Sequence, residues 1–311
     1  MGTVNSYLVQ GDRKSLIDCG EDTNESFEAM LSGLRSEGLS PTDIDDIFIT
    51  HAHVDHIGMA ERIAAKADCQ VYVSDLVEPW ALDLENNWDR RAQIMINTMY
   101  EYLPEEIGKG ILGMFQDMSA KIMTQWKPIH KDRVVVFDHA SGQVPISGES
   151  WDIIYAPGHS ITQSCFYHQE SRHLFAADML LKITPTPVME PTEEDGSIRE
   201  KGILTMLESY EKFRKLNAAI VYPGHYEIFD DPEQKINQQI SRIHQRKEEC
   251  YLLIEKGMDN LIDIFQSLYK GRWHLPAFNM TLAYIDLLLH EDRIIITRNE
   301  DDIKRFTVKT Y

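Results

Sequence analysis

Six residues, HAHVDH from His51 to His56, constrain this chain more than any other segment. They contain four metal-binding side chains: His51, His53, Asp55 and His56. The apolar run IFIT comes directly before them, so we expect a strand that ends at the motif. Imidazole nitrogens and carboxylate oxygens suit zinc, iron or manganese. The segment therefore predicts a metal site in a turn at the end of a strand.

Further metal-binding side chains follow three other predicted strands. His159 comes after WDIIY in the turn APGHS, Asp178 after HLFAA, and His225 after AAIVY in the turn PGH. Gly158 and Gly224 precede the two histidines and allow the backbone to turn tightly there. With the first motif they make a set of five histidines and two aspartates. That set is large enough to hold two ions and to leave coordination positions open for water.

Length and charge narrow the class of protein. At about 150 residues per domain, a chain of 311 residues predicts two domains or one with an appendage. The net charge of −19 repels nucleic acid and anionic membranes at long range. A bound metal ion can reverse the sign locally, so nucleic acid is disfavoured rather than excluded.

We predict a soluble protein that is located in the cytoplasm. The four cysteines form no CxxC pair, which favours reduced thiols. No run of about 18 apolar residues is present, and the start of the sequence lacks the features of a signal peptide.

Strands and helices alternate up to about residue 229, which predicts layered α/β structure for a first domain, 1–229. Residues 84–126 interrupt this alternation with two helical runs that are rich in methionine and aromatic residues. We interpret them as a helical insertion that forms a lid over an apolar part of the substrate, because such surfaces adapt to varied ligands. A homodimer interface and a simple extension of the core are the alternatives.

Residues 230–311 form the second predicted domain. Three helical runs are followed by a terminal hairpin, which is the layout of a winged helix. This part carries 12 basic and 14 acidic residues, and its last helical run, 276–290, contains no lysine or arginine. A helix that reads nucleic acid needs several basic residues on one face. We therefore expect this domain to pack against the first one or to mediate dimerisation.

The motifs HAHVDH, GHS and GHY, together with Asp178, resemble the metallo-β-lactamase superfamily. The chain looks most similar to the glyoxalase II and β-lactamase-like-2 branches, over about residues 2–229, and the C-terminal part resembles that of the latter branch. The resemblance implies an αββα sandwich with two metal ions at one edge. The implied ligands are His51, His53 and His159 for the first ion, Asp55, His56 and His225 for the second, and Asp178 as a bridge. Asp18 in LIDCG would be a structural residue behind the ligands.

The implied function is that of a dinuclear metal-dependent hydrolase. Two metal ions, zinc before iron or manganese, would supply an activated hydroxide and stabilise developing negative charge. Asp55 is the predicted catalytic residue, because as a ligand it would also orient the hydroxide. Ser160 and Tyr226 adjoin ligands and are predicted to donate hydrogen bonds to substrate.

The predicted substrate is a small thioester or related acyl compound, as in hydroxyacylglutathione hydrolase. Three alternatives remain. The first is a metal-dependent endoribonuclease that acts on single strands. The second is a non-catalytic metal-binding regulatory protein, and the third is a sulfur dioxygenase with one iron.

Overall fold

The computed structural model of the chain describes residues 3–183, 185–189, 201–272 and 274–310, without the side chains of residues 111, 114 and 115. Ten strands form the two large sheets: β1 (Tyr7–Gln10), β2 (Lys14–Ile17), β3 (Asp46–Phe48), β4 (Gln70–Ser74), β5 (Val134–Phe137), β6 (Gln143–Ile146), β7 (Glu149–Tyr155), β8 (Ser164–His168), β9 (His173–Ala177) and β10 (Ile220–Pro223). Two more strands form the terminal hairpin: β11 (Ile294–Arg298) and β12 (Lys304–Val308).

The helices alternate with these strands and then dominate the C-terminal part. They are α1 (Asn24–Ser36), α2 (Val54–Ile57), α3 (Ala60–Ala67), α4 (Glu78–Leu82), α5 (Leu84–Tyr100), α6 (Glu105–Gln125), α7 (Gly202–Leu216), α8 (Pro232–Glu255), α9 (Leu261–Tyr269) and α10 (Leu275–His290).

Two five-stranded sheets form the centre of the fold. The first has the order β1-β2-β3-β4-β5, and the second has the order β10-β9-β8-β7-β6. Aromatic residues fill the layer between them: the ring of Phe48 lies 6.2 Å from that of Phe166, and the ring of Tyr7 lies 5.5 Å from that of Phe175. One apolar layer therefore joins the two sheets face to face.

Helices cover the outer face of each sheet. Ile63 of α3 and Trp126, after α6, belong to the core on the first sheet, while Tyr210 of α7 and Ile285 of α10 belong to the core on the second. The layers thus run helix, sheet, sheet, helix, which is the predicted αββα sandwich.

The C-terminal helices share a core with the second sheet. α10 packs against α7, α8 and α9, and nearly all of its side chains are buried. The three helices and the hairpin occur where the sequence predicted them. The winged-helix arrangement and the boundary at residue 230 stay predictions.

The insertion forms the two predicted helices, α5 and α6. Three of its side chains are buried in the hydrophobic cores of the chain: Trp88, Met95 and Met99. This burial agrees with the alternative that the insertion extends the core. The turn after α5 lies on the terminal hairpin, where the rings of Tyr102 and Phe306 stack 6.0 Å apart. The side chains of Met114 and Phe115 lie outside the described part, and the lid stays a prediction.

Candidate metal centre

The predicted ligands meet at one edge of the sandwich. β7, β9 and β10 run in the same direction, so the turns that carry His159, Asp178 and His225 lie side by side. β3 of the other sheet ends just before His51. A backbone hydrogen bond of 2.8 Å from Ser164 to Thr50 ties the two sheets together beside this motif.

Three histidines form the first group of candidate ligands. Nδ1 of His53 lies 2.9 Å from Nε2 of His51 and 3.1 Å from Nε2 of His159. The three nitrogens therefore point at a common centre, as three ligands of one ion must. His51 and His159 are fully buried, whereas His53 is half-buried at the start of α2.

The second group contains Asp55, His56 and His225. Oδ2 of Asp55 lies 3.4 Å from Nε2 of His225 and 3.9 Å from Nε2 of His56. The short helix α2 brings Asp55 and His56 to this position directly after His53. The side chain of Asp55 is 30% exposed, whereas those of His56 and His225 are buried.

Asp178 lies between the two groups. Its Oδ2 is 3.3 Å from Nε2 of His159, in the first group, and 3.3 Å from Nε2 of His225, in the second. Its Oδ1 is 3.5 Å from Nε2 of His56. This is the place that a carboxylate bridging two ions would take.

Unsatisfied buried atoms in the site fit a pair of ions. Nε2 of His56, Nε2 of His225 and Oδ1 of Asp178 are buried and have no hydrogen-bond partner. Leaving such atoms unpaired costs about 1–3 kcal/mol each, and coordination to a cation removes that cost. All three belong to predicted ligands, so the His/Asp clusters could bind a dinuclear metal site.

Four of the histidine rings are fixed through their second nitrogen. Nδ1 of His56 lies 2.7 Å from Oδ2 of Asp18, and Nδ1 of His51 lies 3.0 Å from Oγ1 of Thr50. Nδ1 of His159 lies 2.9 Å from the main-chain carbonyl of Pro187, and Nδ1 of His225 lies 3.1 Å from that of Thr3. Each contact orients a ring so that its Nε2 faces the site.

The carboxylates and imidazoles of the site shift one another's pKa values. Burial would raise the pKa of Asp178, but His56, His225 and His159 hold that pKa well below its usual range. Burial lowers the pKa of His51 well below its usual value, and the neighbouring histidines lower it further. Burial would also lower the pKa of His225, yet its contacts with Asp178 and Asp55 raise it to about 10. These shifts favour the ionised form of Asp178, and the proton that the carboxylates hold on His225 would leave when an ion binds.

The backbone at Gly224 leaves no room for a side chain. A Cβ there would lie 2.1 Å from Oδ1 of Asp178 and 2.8 Å from Cε1 of His56. Gly158 has a φ of +142°, and its Cβ would lie 2.6 Å from the backbone of Met206. Gly224 thus gives Asp178 and His56 room to approach, and Gly158 lets α7 pack against the turn before His159.

The two predicted substrate-binding residues differ in their surroundings. Ser160 is buried, and its hydroxyl lies 2.9 Å from that of Thr162, which accepts a hydrogen bond from the backbone of Ala52. These contacts support the HAHVDH turn, so Ser160 faces the scaffold. Tyr226 is half-buried beside His225, with a φ of +67°. A substrate contact for either residue stays a prediction.

Sequence reasoning missed residues that act through main-chain carbonyls. Thr3 and Pro187 hold the rings of His225 and His159, and Asn5 donates hydrogen bonds to the carbonyls of Pro223 and Tyr226. A carbonyl is present in every residue, so no side-chain pattern could have marked the first two. The proximity of Asn5 to the His225 turn follows only from the fold.

The family is decided by comparison with known proteins. The model of the metallo-beta-lactamase superfamily matches residues 1–225. The chain belongs to this superfamily. A crystal structure of a metallo-beta-lactamase family protein from Thermus thermophilus has the same fold, with a TM-score of 0.78 at 21% identity, covering 98% of this chain and 94% of that one.

Three curated relatives agree with this assignment. A probable metallo-hydrolase of Bacillus subtilis, YqjP, is 23% identical over 94% of this chain and 90% of its own length. A beta-lactamase-like protein 2 homolog of Drosophila melanogaster is 20% identical over 96% and 86%. An atrochrysone carboxyl ACP thioesterase of Aspergillus fumigatus is 23% identical over 82% and 60%. The predicted superfamily, and an enzyme of metallo-hydrolase type, are confirmed at that level.

Proposed function

We propose that this protein hydrolyses a thioester or a related acyl compound at a dinuclear metal site. The observation that carries the proposal is the double cluster, in which Asp178 lies 3.3 Å from a histidine of each group. Two divalent ions held there would supply a hydroxide near neutral pH and a Lewis acid for the oxyanion. Zinc is the proposed metal, with iron and manganese as alternatives that suit the same ligands.

The exposed side of the site gives the direction from which substrate arrives. Asp55 and His53 are half-buried, while the other five predicted ligands are buried. Substrate therefore approaches past the HAHVDH turn. Asp55, at this opening and 3.4 Å from His225, is placed to hold and orient a nucleophilic water as well as to ligate.

Apolar side chains beside the site support an acyl substrate. Ile183 is 63% exposed and Ile228 is 46% exposed, each a few residues beyond a predicted ligand. Lys182 and Glu227, their neighbours in the chain, lie 3.8 Å apart, so these two loops adjoin each other. Exposed isoleucines next to a polar cluster form a surface on which an acyl chain can lie. The relative named as an acyl-carrier-protein thioesterase agrees with this substrate class.

The test is hydrolysis of S-lactoylglutathione and a panel of acyl-CoA thioesters by the metal-loaded protein. We expect turnover that is lost on chelation, and an Asp55→Asn variant whose kcat/KM is lower by about 100-fold. Asp75→Asn is the matched control, because Asp75 follows β4 at the same edge and pairs with His139 rather than with the cluster. Thioesters that stay intact although metal is bound would refute the substrate class.

Single-stranded RNA is the alternative substrate, and the same metal-loaded protein is tested on it in parallel with the thioesters. The net charge of −19 works against this reading, because RNA binding gains most of its affinity from basic residues. Metal-dependent cleavage of RNA without thioester turnover would favour it.

A homodimer, the cytoplasmic location and the helical lid stay predictions. No helix among the described residues combines the length and apolarity that crossing a membrane requires.

A further inference from the structure

A short strap, residues 186–189, runs behind the metal cluster. The hydroxyl of Thr186 donates a hydrogen bond to the backbone carbonyl of Asp178 at 3.0 Å. The carbonyl of Pro187 lies 2.9 Å from Nδ1 of His159, and the backbone N–H of Met189 donates to the carbonyl of His159 at 3.0 Å. The strap therefore holds His159 by both ring and backbone.

The strap is attached on its other side to α10. Nδ2 of Asn279 donates a hydrogen bond to the carbonyl of Met189 at 2.9 Å, and the backbone N–H of Val188 donates to Sδ of Met280 at 3.1 Å. Asn279 is 2% exposed and Val188 is 1% exposed. A Cβ at Gly202, where α7 begins, would lie 2.7 Å from Cγ1 of Val188. The strap is thus held between His159 and α10.

An asparagine at this place in α10 needs a physical reason. The helix, LPAFNMTLAYIDLLLH, is buried along most of its length and otherwise largely apolar. Burying an amide without a hydrogen bond costs about 1–3 kcal/mol by mutational data. The bond to Met189 removes this cost at Asn279, and through the strap it connects the C-terminal helices to a predicted ligand.

We propose that Asn279 is a positioning residue for the metal site, acting on His159 through the strap. Without its amide, the carbonyl of Met189 loses a partner and the strap relaxes away from His159. The carbonyl of Pro187 then no longer fixes the imidazole, and the ion of the first group loses a preorganised ligand. This inference rests on the proposed role of His159 as a ligand, and it makes the C-terminal helices part of the metal centre.

The experiment measures metal binding by the full chain, separately from catalysis. Asn279→Ala is titrated with zinc in competition with a chromophoric chelator, and with cobalt(II) to record its visible spectrum. We expect one of the two ions to bind about tenfold more weakly, the other ion to bind as before, and one cobalt band to change. Thr281→Val is the matched control: Thr281 is buried in the same helix, and its hydroxyl donates to Ala277 within that helix.

Each outcome decides the proposal. Unchanged affinity for both ions in Asn279→Ala would overturn it, and so would equal weakening in Thr281→Val. If Asn279→Ala does not fold, Met280→Leu takes its place. This variant keeps the side-chain volume but removes the sulfur acceptor, and it is expected to weaken the binding of the same ion. A wild-type protein that binds no metal would also overturn it. Wild-type protein that binds two ions but cleaves no thioester would refute only the proposed substrate.

Discussion

The hydroxyl of Thr50 donates a hydrogen bond of 2.8 Å to Oδ2 of Asp18. The same oxygen lies 2.7 Å from Nδ1 of His56, and the Thr50 hydroxyl lies 3.0 Å from Nδ1 of His51. One carboxylate therefore orients a candidate ligand in each group, directly for His56 and through Thr50 for His51. The resemblance implied a structural role for Asp18, and these contacts give that role a physical form.

Replacing Asp18 is expected to weaken both metal positions. In Asp18→Asn the carboxamide carries half the acceptor capacity, so the rings of His51 and His56 lose their fixed orientation. We expect the affinity for both ions to fall by about 10–100-fold, measured by competition with a chelator. Asp46→Asn is the control, because Asp46 is a buried carboxylate on β3 that pairs with Arg13 instead. Equal effects in the two variants would show that general destabilisation is the cause.

A methyl group at residue 224 is expected to disrupt the cluster. In Gly224→Ala the new Cβ would overlap Oδ1 of Asp178, which it would approach to 2.1 Å. Asp178 and His56 would have to move, so we expect less than two bound ions per chain by elemental analysis and a large loss of turnover. Gly33→Ala in α1 is the control, because its Cβ meets nothing within 4 Å. There we expect full metal content and about 1 kcal/mol higher stability.

Metal binding is expected to stabilise the fold. The candidate ligands come from both sheets, so ions bound to the native chain would oppose its unfolding. At a free metal concentration of 1,000 times Kd, the free energy of unfolding rises by about 4 kcal/mol for each ion that binds, and a thermal melt with and without zinc measures it. His159→Ala is expected to lose much of this gain, while His168→Ala keeps it, because His168 lies outside the cluster and hydrogen-bonds to Ser171. A melting temperature that zinc leaves unchanged would contradict the prediction.

The four cysteines are expected to be unreactive in the native protein. All four are buried. Burial raises the pKa of Cys69 and of Cys250 to about 12, and it also raises the pKa of Cys19 and of Cys165. Because the thiolate is the reacting form, Ellman's reagent at pH 8 should label less than one thiol per native chain and four after denaturation. Rapid labelling of a native thiol would show that one of them is accessible.

Much of this fold could be predicted because the chain alternates clearly between helical and strand patterns. The exception is β6, which the sequence did not indicate because Pro145 interrupts a four-residue strand. β6 lies at the edge of its sheet, where proline is tolerated since no neighbouring strand requires its missing N–H. The structure, not the pattern, identifies this strand.

The candidate ligands could be selected from the sequence because each is a metal-binding side chain near a strand end. The supporting contacts could not, since they depend on how distant segments pack. Asn279 illustrates the difference: in sequence it is one polar residue in an apolar helix, and only the fold places it against Met189. Ser160 is a second example, because only the fold places its hydroxyl 2.9 Å from that of Thr162.

The four histidine rings held through their second nitrogens have a consequence for how the protein acquires its metal. Their partners are groups of the folded chain, so the cage formed by these rings takes its shape from the fold. A preformed cage of nitrogen and oxygen ligands accepts several first-row metals, with affinities that follow the general order for these ions. If the proposed site is dinuclear, the metal that occupies it would then depend on the ions available when the chain finishes folding, and the same protein made under different metal supplies would carry different ions.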